Sequence, residues 1–97
     1  MTLRYTPRAR DDLAEIHEFI AQRNPAAARN VVSLIRKAAE SLIQAPEIGR
    51  SGRVSGTREL AVVRHPFIIV YRTAAGEVQV LSVIHTASEW PKDFDPR

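Results

Sequence analysis

Two stretches in the first half of the chain repeat apolar residues at the spacing of an amphipathic α-helix. In the first stretch, Leu13, Ile16 and Ile20 fall on one face, and acidic residues occupy the other faces. In the second stretch the apolar face is broader, and it comprises Ala28, Val31, Val32, Ile35, Ala39, Leu42 and Ile43. Each stretch is therefore predicted to form a helix that buries one face.

Both predicted helices begin with the same kind of capping pair. Thr6-Pro7 precedes the first helix, and Asn24-Pro25 precedes the second. An oxygen of the threonine or asparagine side chain accepts a hydrogen bond from a free backbone N–H, and proline fits the first helical turn. Because the second pair closely follows the first helix, we expect an antiparallel helical hairpin, which Pro46 ends.

Strand patterns flank the two helices. The segment "TLRY" precedes them, and "PEIGRSGRVSG" after them has the composition of a loop. Three further strands are predicted in "TRELAVVR", "FIIVY" and "VQVLSVIH", separated by turns at His65-Pro66 and Ala75-Gly76. In the last strand, regular alternation places Val78, Val80, Ser82 and Ile84 on one face and Gln79, Leu81, Val83 and His85 on the other.

The order of these elements predicts an α+β fold, β-α-α-β-β-β. Strands joined by short turns pair in antiparallel fashion, and the helical hairpin has to cover one face of their sheet to bury its own apolar face. Ninety-seven residues are enough for one core. We therefore expect a single domain over residues 1–97, with a short flexible C-terminal tail from about residue 91 to 97.

Composition excludes several classes of function. Hydrophobic residues make up 44% of the chain, and no apolar run has the length of a membrane span, so we expect a cytoplasmic protein with no membrane association. There are no cysteines, and the three histidines lack the spacing of metal ligands. Since no phosphate-binding glycine motif is present either, we expect neither a metal nor a cofactor.

The positive charge is concentrated in one part of the chain. The net charge is +3, and five arginines fall in one stretch with Glu59 as its single acid: Arg50, Arg53, Arg58, Arg64 and Arg72. Arginine binds carboxylates and phosphates bidentately, so this stretch favours an acidic partner or a polyanion. A general preference for arginine codons explains the abundance of arginine almost as well.

Four segments, "PEIGR", "GTRELAV", "FIIVYR" and "VLSVIHTASEWP", resemble the ParE branch of the RelE/ParE family of type II toxins. The resemblance covers nearly the whole chain. It implies a small growth-inhibiting toxin, of the kind associated with plasmid stabilization, that forms a hetero-oligomer with a cognate antitoxin. The antitoxin's C-terminal segment would wrap the toxin, and operator DNA would be contacted only through the antitoxin.

The same resemblance implies two alternative activities. RelE-like members resemble ribosome-dependent mRNA endonucleases, which need cations around the scissile phosphate, whereas ParE-like members are associated with inhibition of DNA gyrase. Here the cation positions align with Glu59, Ala61, Ile68 and Thr86 or its neighbours, so the cationic set is largely gone. We therefore expect a non-enzymatic gyrase inhibitor. An mRNA endonuclease is the alternative, and an inactive relative that only binds antitoxin is a third.

The candidate site residues differ between these alternative activities. His85 is the general base if the chain is a nuclease; otherwise it ties the end of the last strand to a neighbouring backbone or carboxylate group. Trp90 is expected to lie across the sheet edge or to contact a partner. Arg58, Arg64 and Arg72 are expected to contact the target or the antitoxin, with Arg58 preferred, although exposed arginines are more often only solvated. Tyr71 is expected to be a core residue with a hydrogen-bonded hydroxyl.

Overall fold

The fold was analysed in a computed structural model, which describes residues 1–87; Trp90 and the predicted tail lie outside the described residues. The elements are β1 (Thr2–Tyr5), α1 (Pro7–Ala21), α2 (Pro25–Gln44), β2 (Arg50–Ser51), β3 (Arg58–Ala61), β4 (Phe67–Ala74) and β5 (Glu77–His85). This order contains every predicted helix and strand, and it adds the short strand β2. Within residues 1–87, neither helix has the length and apolar character needed to cross a membrane.

Both helices start where the capping pairs predict. The Thr6 hydroxyl accepts a hydrogen bond from the Ala9 N–H at 3.2 Å, and the Asn24 side-chain oxygen accepts one from the Ala27 N–H at 3.0 Å. Proline occupies the first turn of each helix. Each cap satisfies a backbone donor that has no partner inside its own helix, so these local sequences fix where the helices begin.

The α+β class is confirmed, but the sheet is mixed rather than wholly antiparallel. Its strand order is β1-β5-β4-β3-β2, and the strands from β2 to β5 pair antiparallel, as their short connections require. β1 instead pairs parallel with β5, from Thr2 opposite Glu77 to Tyr5 opposite Val80. The rule for short turns does not apply to β1, because the whole helical hairpin separates β1 from the other strands. β2 lies inside the segment predicted to be a loop after α2. Its two residues are too few to show the alternation of apolar and polar residues that would predict a strand.

A β-bulge in β5 overturns the predicted alternation of its side chains. Val70 lies opposite Ser82 and Tyr71 lies opposite Val80, which leaves Leu81 without a partner in β4. This extra residue shifts the faces, so Val80 and Val83 both join the core, whereas alternation placed them on opposite faces. Ser82 and Ile84 are consequently not on the core face that Val78 and Val80 share.

The hydrophobic core lies between the helical hairpin and one face of the sheet. The sheet contributes Phe67, Ile69, Tyr71, Val78, Val80 and Val83, and the helices contribute Ala9, Leu13, Ile35, Ala39 and Leu42. The alanines among these residues are completely buried, so small side chains allow the helices to approach the sheet closely. Burial of one large apolar side chain contributes about 1.5–3 kcal/mol, so this layer supplies most of the favourable energy of folding.

The turn between β4 and β5 generates the first prediction. Ala75 and Gly76 form a two-residue connection with φ values of 52° and 76°, as in a type I′ turn. Asparagine adopts this left-handed conformation at lower cost than alanine. Replacing Ala75 by Asn should therefore raise the free energy of unfolding by about 0.5–1 kcal/mol, measured by thermal and urea denaturation.

The exposed Ala61 of β3 provides a control, because its φ is not positive. Ala61→Asn should not stabilise the protein, since asparagine is disfavoured in strands. An Ala75→Asn variant that is no more stable than the wild type would contradict the assignment of the turn.

Candidate functional site

The face of the sheet opposite the helical hairpin carries the positions at which nuclease relatives would need cations. We call this side of the sheet the helix-free face; it includes Arg4, Glu59, Ala61, Ile68, Val70, Arg72, Glu77 and Gln79. Strand pairing places Ala61 directly opposite Ile68, and Glu59 directly opposite Val70. Three of the positions singled out by the sequence therefore lie together on this side of the sheet.

Glu59 on this face belongs to the structural framework. It is only 3% exposed, and one carboxylate oxygen accepts a hydrogen bond from the Arg53 N–H at 2.7 Å. The other oxygen pairs with the Arg50 guanidinium at 3.1 Å. Buried carboxylates are retained when hydrogen bonds and an opposite charge offset the cost of desolvation, and here both are present. The carboxylate holds the loop at residues 50–53 against β3.

The neighbouring positions on the helix-free face are apolar. Ala61 is exposed and Ile68 is half-buried. Neither side chain can transfer a proton or offset the negative charge of a phosphate. The three positions thus present one engaged acid and two apolar side chains.

Tyr71 and Arg58 hold the loop that follows α2. The Tyr71 hydroxyl donates to the Pro46 carbonyl at 2.8 Å and accepts from the Gly49 N–H at 2.9 Å. Burial raises the pKa of Tyr71, although the Gly49 N–H and the Arg58 charge act in the opposite direction. Arg58 donates to the carbonyl oxygens of Gly49 at 2.8 Å and Glu47 at 3.2 Å. The expected role of Tyr71 is confirmed, and Arg58 is engaged in the same loop.

Arg72 begins a chain of polar side chains across three strands. Its Nε donates to the Gln79 side-chain oxygen at 2.7 Å, and the Gln79 amide nitrogen donates to Glu77 at 2.7 Å. The Arg4 Nε donates to the same Glu77 oxygen at 3.0 Å. The hydrogen bonds from Gln79 and Arg4 lower the pKa of Glu77. Arg72 is therefore held in place beside an amide instead of extending freely into solvent.

The arginines of the basic stretch do not form one surface. Arg58 lies on the helix-facing side with Tyr71, its partner across the strands, whereas the next residue of β4, Arg72, lies on the helix-free face. Arg64 lies in the turn between β3 and β4, with a positive φ of 66°. Its side chain is exposed and has no hydrogen bond or ion pair within residues 1–87. Of the three predicted contact arginines, Arg64 is the one free to meet a partner.

His85 ends β5 on the helix-facing side of the sheet. Its ring meets the Phe67 ring edge-on, with 5.4 Å between centroids, and its Nδ1 accepts a hydrogen bond from the Ala87 N–H at 3.0 Å. Because Nδ1 accepts, the neutral imidazole carries its proton on Nε2 and presents a donor there. This bond links the strand end to the neighbouring backbone. Trp90, the other candidate in this segment, lies outside the described residues.

A groove lies between α1 and the end of β5, and it brings together Phe19 and Phe67, two apolar residues that the sequence suggests as the lining of a groove for an antitoxin segment. The α1–β5 groove has a volume of about 550 Å³, and its lining includes Ile16, Phe19, Ile20, Phe67, Val83 and His85. Asp12 closes one side, where its carboxylate accepts hydrogen bonds from the Ser82 hydroxyl at 2.5 Å and the Val83 N–H at 3.0 Å. About seventy residues separate Asp12 from these partners, so no local pattern indicates the contact.

Known proteins match this chain over most of its length. The family model described as "ParE toxin of type II toxin-antitoxin system, parDE" matches residues 3–90. The chain is 40% identical over 90 residues to toxin Y4kP of Sinorhizobium fredii, covering 93% of each protein. It is 39% identical over 83 residues to toxin RelE2 of Caulobacter vibrioides, covering 86% of this chain and 92% of that relative.

Solved structures agree with these sequence relationships. A chain from the chromosomal ParDE toxin–antitoxin system of P. aeruginosa superposes with a TM-score of 0.81 at 30% identity, covering 88% of this chain and 95% of that one. A chain from the RelBE2 toxin–antitoxin complex of Mycobacterium tuberculosis gives a TM-score of 0.64 at 24% identity, covering 87% and 95%, and it supports the fold. The chain therefore belongs to the RelE/ParE family, and it is a toxin of a type II toxin–antitoxin system.

The contact between Gly49 and Tyr71 generates the second prediction. A Cβ atom at Gly49 would lie 2.5 Å from the Tyr71 hydroxyl oxygen, so Gly49→Ala should cost about 1–3 kcal/mol of stability through overpacking. Tyr71→Phe should cost about 1–3 kcal/mol, because it leaves buried polar groups of the loop unpaired.

Together, the two substitutions test whether they act through the same contact. The double variant should lose less stability than the sum of the single losses, because removal of the hydroxyl removes part of the steric clash. Urea denaturation of the four proteins measures this coupling. Strictly additive losses would show that Gly49 and Tyr71 do not share the contact.

Proposed function

We propose that this toxin acts without catalysis, as a ParE-like inhibitor of DNA gyrase. The observation that carries the proposal is the helix-free face, where Glu59, Ala61 and Ile68 occupy the positions of the nuclease cations. RNA cleavage by a 2′-hydroxyl needs a proton acceptor, a proton donor and positive charge near the pentavalent phosphate. The Glu59 carboxylate is already bound by Arg50 and by the loop backbone. Its neighbours Ala61 and Ile68 have no group that can bind a phosphate.

A RelE-like mRNA endonuclease is the second candidate. It is favoured by the similarity to a protein named toxin RelE2 and by the presence of His85 at the strand end. In that candidate His85 would be the catalytic residue. Its Nδ1 is already engaged by Ala87, however, and the neutral ring carries a proton on Nε2, so neither nitrogen is ready to accept a proton from a substrate.

The partner we propose is a cognate antitoxin that neutralises the toxin in a hetero-oligomer. Support comes from the two structural relatives, which are described as a toxin–antitoxin system and a toxin–antitoxin complex. Operator DNA would be contacted only through the antitoxin. Both proposed partners, antitoxin and gyrase, act in the cytoplasm, so we place the toxin there; the proposed activity requires no metal or cofactor.

A growth experiment separates the two candidate activities. Induction in a susceptible cell should stop replication and raise DNA-damage signalling while mRNA stays intact, and co-expression of the antitoxin should restore growth. The matched variant His85→Gln should remain toxic, whereas loss of a general base typically costs about 10²- to 10⁴-fold in rate. Cleavage of ribosome-bound mRNA that disappears in the His85→Gln variant would establish the endonuclease instead.

Arg64 is the contact we propose for the target, because its guanidinium is exposed and uncommitted within the described part of the chain. Arg64→Asn removes the positive charge. Asparagine tolerates the positive φ of this position, so the turn should be preserved. An arginine at the centre of an interface contributes 2 kcal/mol or more, so gyrase binding should weaken by roughly 30-fold. Arg64→Lys, which keeps the charge, should lose less.

Gyrase binding and growth inhibition by the folded variants measure this effect. Circular dichroism has to show that both variants keep the wild-type secondary structure. An Arg64→Asn protein with full toxicity and unchanged gyrase binding would remove Arg64 from the target surface.

A further inference from the structure

A second groove lies at the solvent-exposed surface of the helical hairpin, between α1 and α2. The α1–α2 groove has a volume of about 380 Å³, and within residues 1–87 Val32 is the single apolar side chain that lines it. The other lining residues are charged or polar: His17, Arg29, Ser33, Arg36, Lys37 and Glu40. The groove therefore combines three cations with one acid, which gives it a positive charge.

The three cations lie on one side of α2. Arg36 and Lys37 follow Arg29 by seven and eight positions, and two turns of an α-helix return side chains at these spacings to the same side. The side chains of Ala28 and Ile35 on the same helix are buried in the core. At a rise of 1.5 Å per residue, the row of cations extends along the helix axis for about 12 Å.

These cations are available to a ligand. Arg29 and Lys37 are exposed, and neither makes a hydrogen bond or an ion pair within the described part of the chain. The Arg36 guanidinium lies over the ring of Tyr5, with 5.2 Å from its central carbon to the ring centroid. This cation–π contact holds Arg36 in place and leaves its positive charge unneutralised.

The other lining groups favour phosphate groups over a protein segment. Two acids of α1, Asp12 and Glu15, line the α1–β5 groove instead, so Glu40 is the one acid that faces the cations among residues 1–87. A protein partner would need an apolar centre, and here the half-buried Val32 offers little. Among the described lining residues there is no Phe, Tyr or Trp on which an unpaired base could stack. The groove is thus suited to the outside of a duplex.

We propose that the α1–α2 groove binds the phosphate backbone of duplex DNA through Arg29, Arg36 and Lys37. Duplex DNA carries one negative charge per about 1.7 Å of its axis, so a row of cations about 12 Å long spans several phosphates. The Ser33 hydroxyl lies among these cations and can donate to a phosphate oxygen. Phosphate contacts carry no sequence information, so operator recognition stays with the proposed antitoxin.

The salt dependence of DNA binding tests this proposal. Fluorescence anisotropy of a short labelled duplex, titrated with purified toxin at several salt concentrations, should give a slope of log K against log salt of about −2 to −3. A duplex of unrelated sequence should bind equally well. The double variant Arg29→Gln/Lys37→Gln should reduce the magnitude of the slope by about 2, because two phosphate contacts are lost. Glutamine is a good helix former, so α2 should stay folded.

The matched control is Arg4→Gln/Arg23→Gln, which removes the same charge outside the groove. Arg4 lies on the helix-free face, and Arg23 is exposed in the turn between the helices. Neither residue lines the groove, so this variant should keep the wild-type slope. Circular dichroism verifies that both double variants keep the wild-type secondary structure.

Three outcomes would overturn the proposal. The first is no binding of the duplex by the folded wild-type toxin at low salt. The second is an equal change of slope in the two double variants, which would mean that net charge attracts DNA without a defined site. The third is displacement of the duplex by polyglutamate at equal charge concentration, which would assign the groove to an acidic protein. Since neither gyrase nor antitoxin is present, failure here would leave the proposed function unaffected.

Discussion

The hydrogen bonds of the Tyr71 hydroxyl connect the hydrophobic core to the outer edge of the sheet. Its ring is completely buried between the helices and the sheet, while its hydroxyl binds both ends of the segment from Pro46 to Gly49. That segment leads directly into β2, the outermost strand, whose loop Glu59 then holds. A buried hydroxyl without partners would cost about 1–3 kcal/mol, so core and loop have to form together. The close approach also requires Gly49, since a Cβ there would collide with the ring.

Local signals predicted the helices and most strands because the responsible interactions are local. Thr6 and Asn24 bond to N–H groups three residues later, and Ala75-Gly76 turns the chain within two residues. The errors involve the way in which strands meet one another in the sheet. The parallel pairing of β1 depends on where the helical hairpin returns the chain, and the bulge at Leu81 depends on how β5 meets β4. Neither feature changes the pattern of apolar residues near it.

In the candidate site, too, some features follow from the order of the strands and others depend on tertiary contacts. Glu59, Ala61 and Ile68 come together on the helix-free face because strand pairing follows from the order of short hairpins. The abundance of arginine in this stretch does not translate directly into free positive charge, since Arg58 is bonded to backbone carbonyls and Arg72 to an amide. A count of arginines cannot separate guanidinium groups that hold a loop from those that meet a partner. In this toxin, only tertiary structure distinguishes Arg64 from the others.

His85 has two possible roles, as a general base or as a residue that ties the end of β5 to the backbone, and the two roles make different demands on its ring nitrogens. A general base has to present an unprotonated nitrogen to its substrate, and in neutral His85 that nitrogen is Nδ1. Nδ1 is the atom that accepts the hydrogen bond from the Ala87 N–H. The ring also points toward the α1–β5 groove, on the opposite side of the sheet from the helix-free face. Catalysis at the helix-free face would therefore require His85 to give up its hydrogen bond to the Ala87 backbone and to reach the other side of the sheet. Holding the end of β5 requires no such rearrangement.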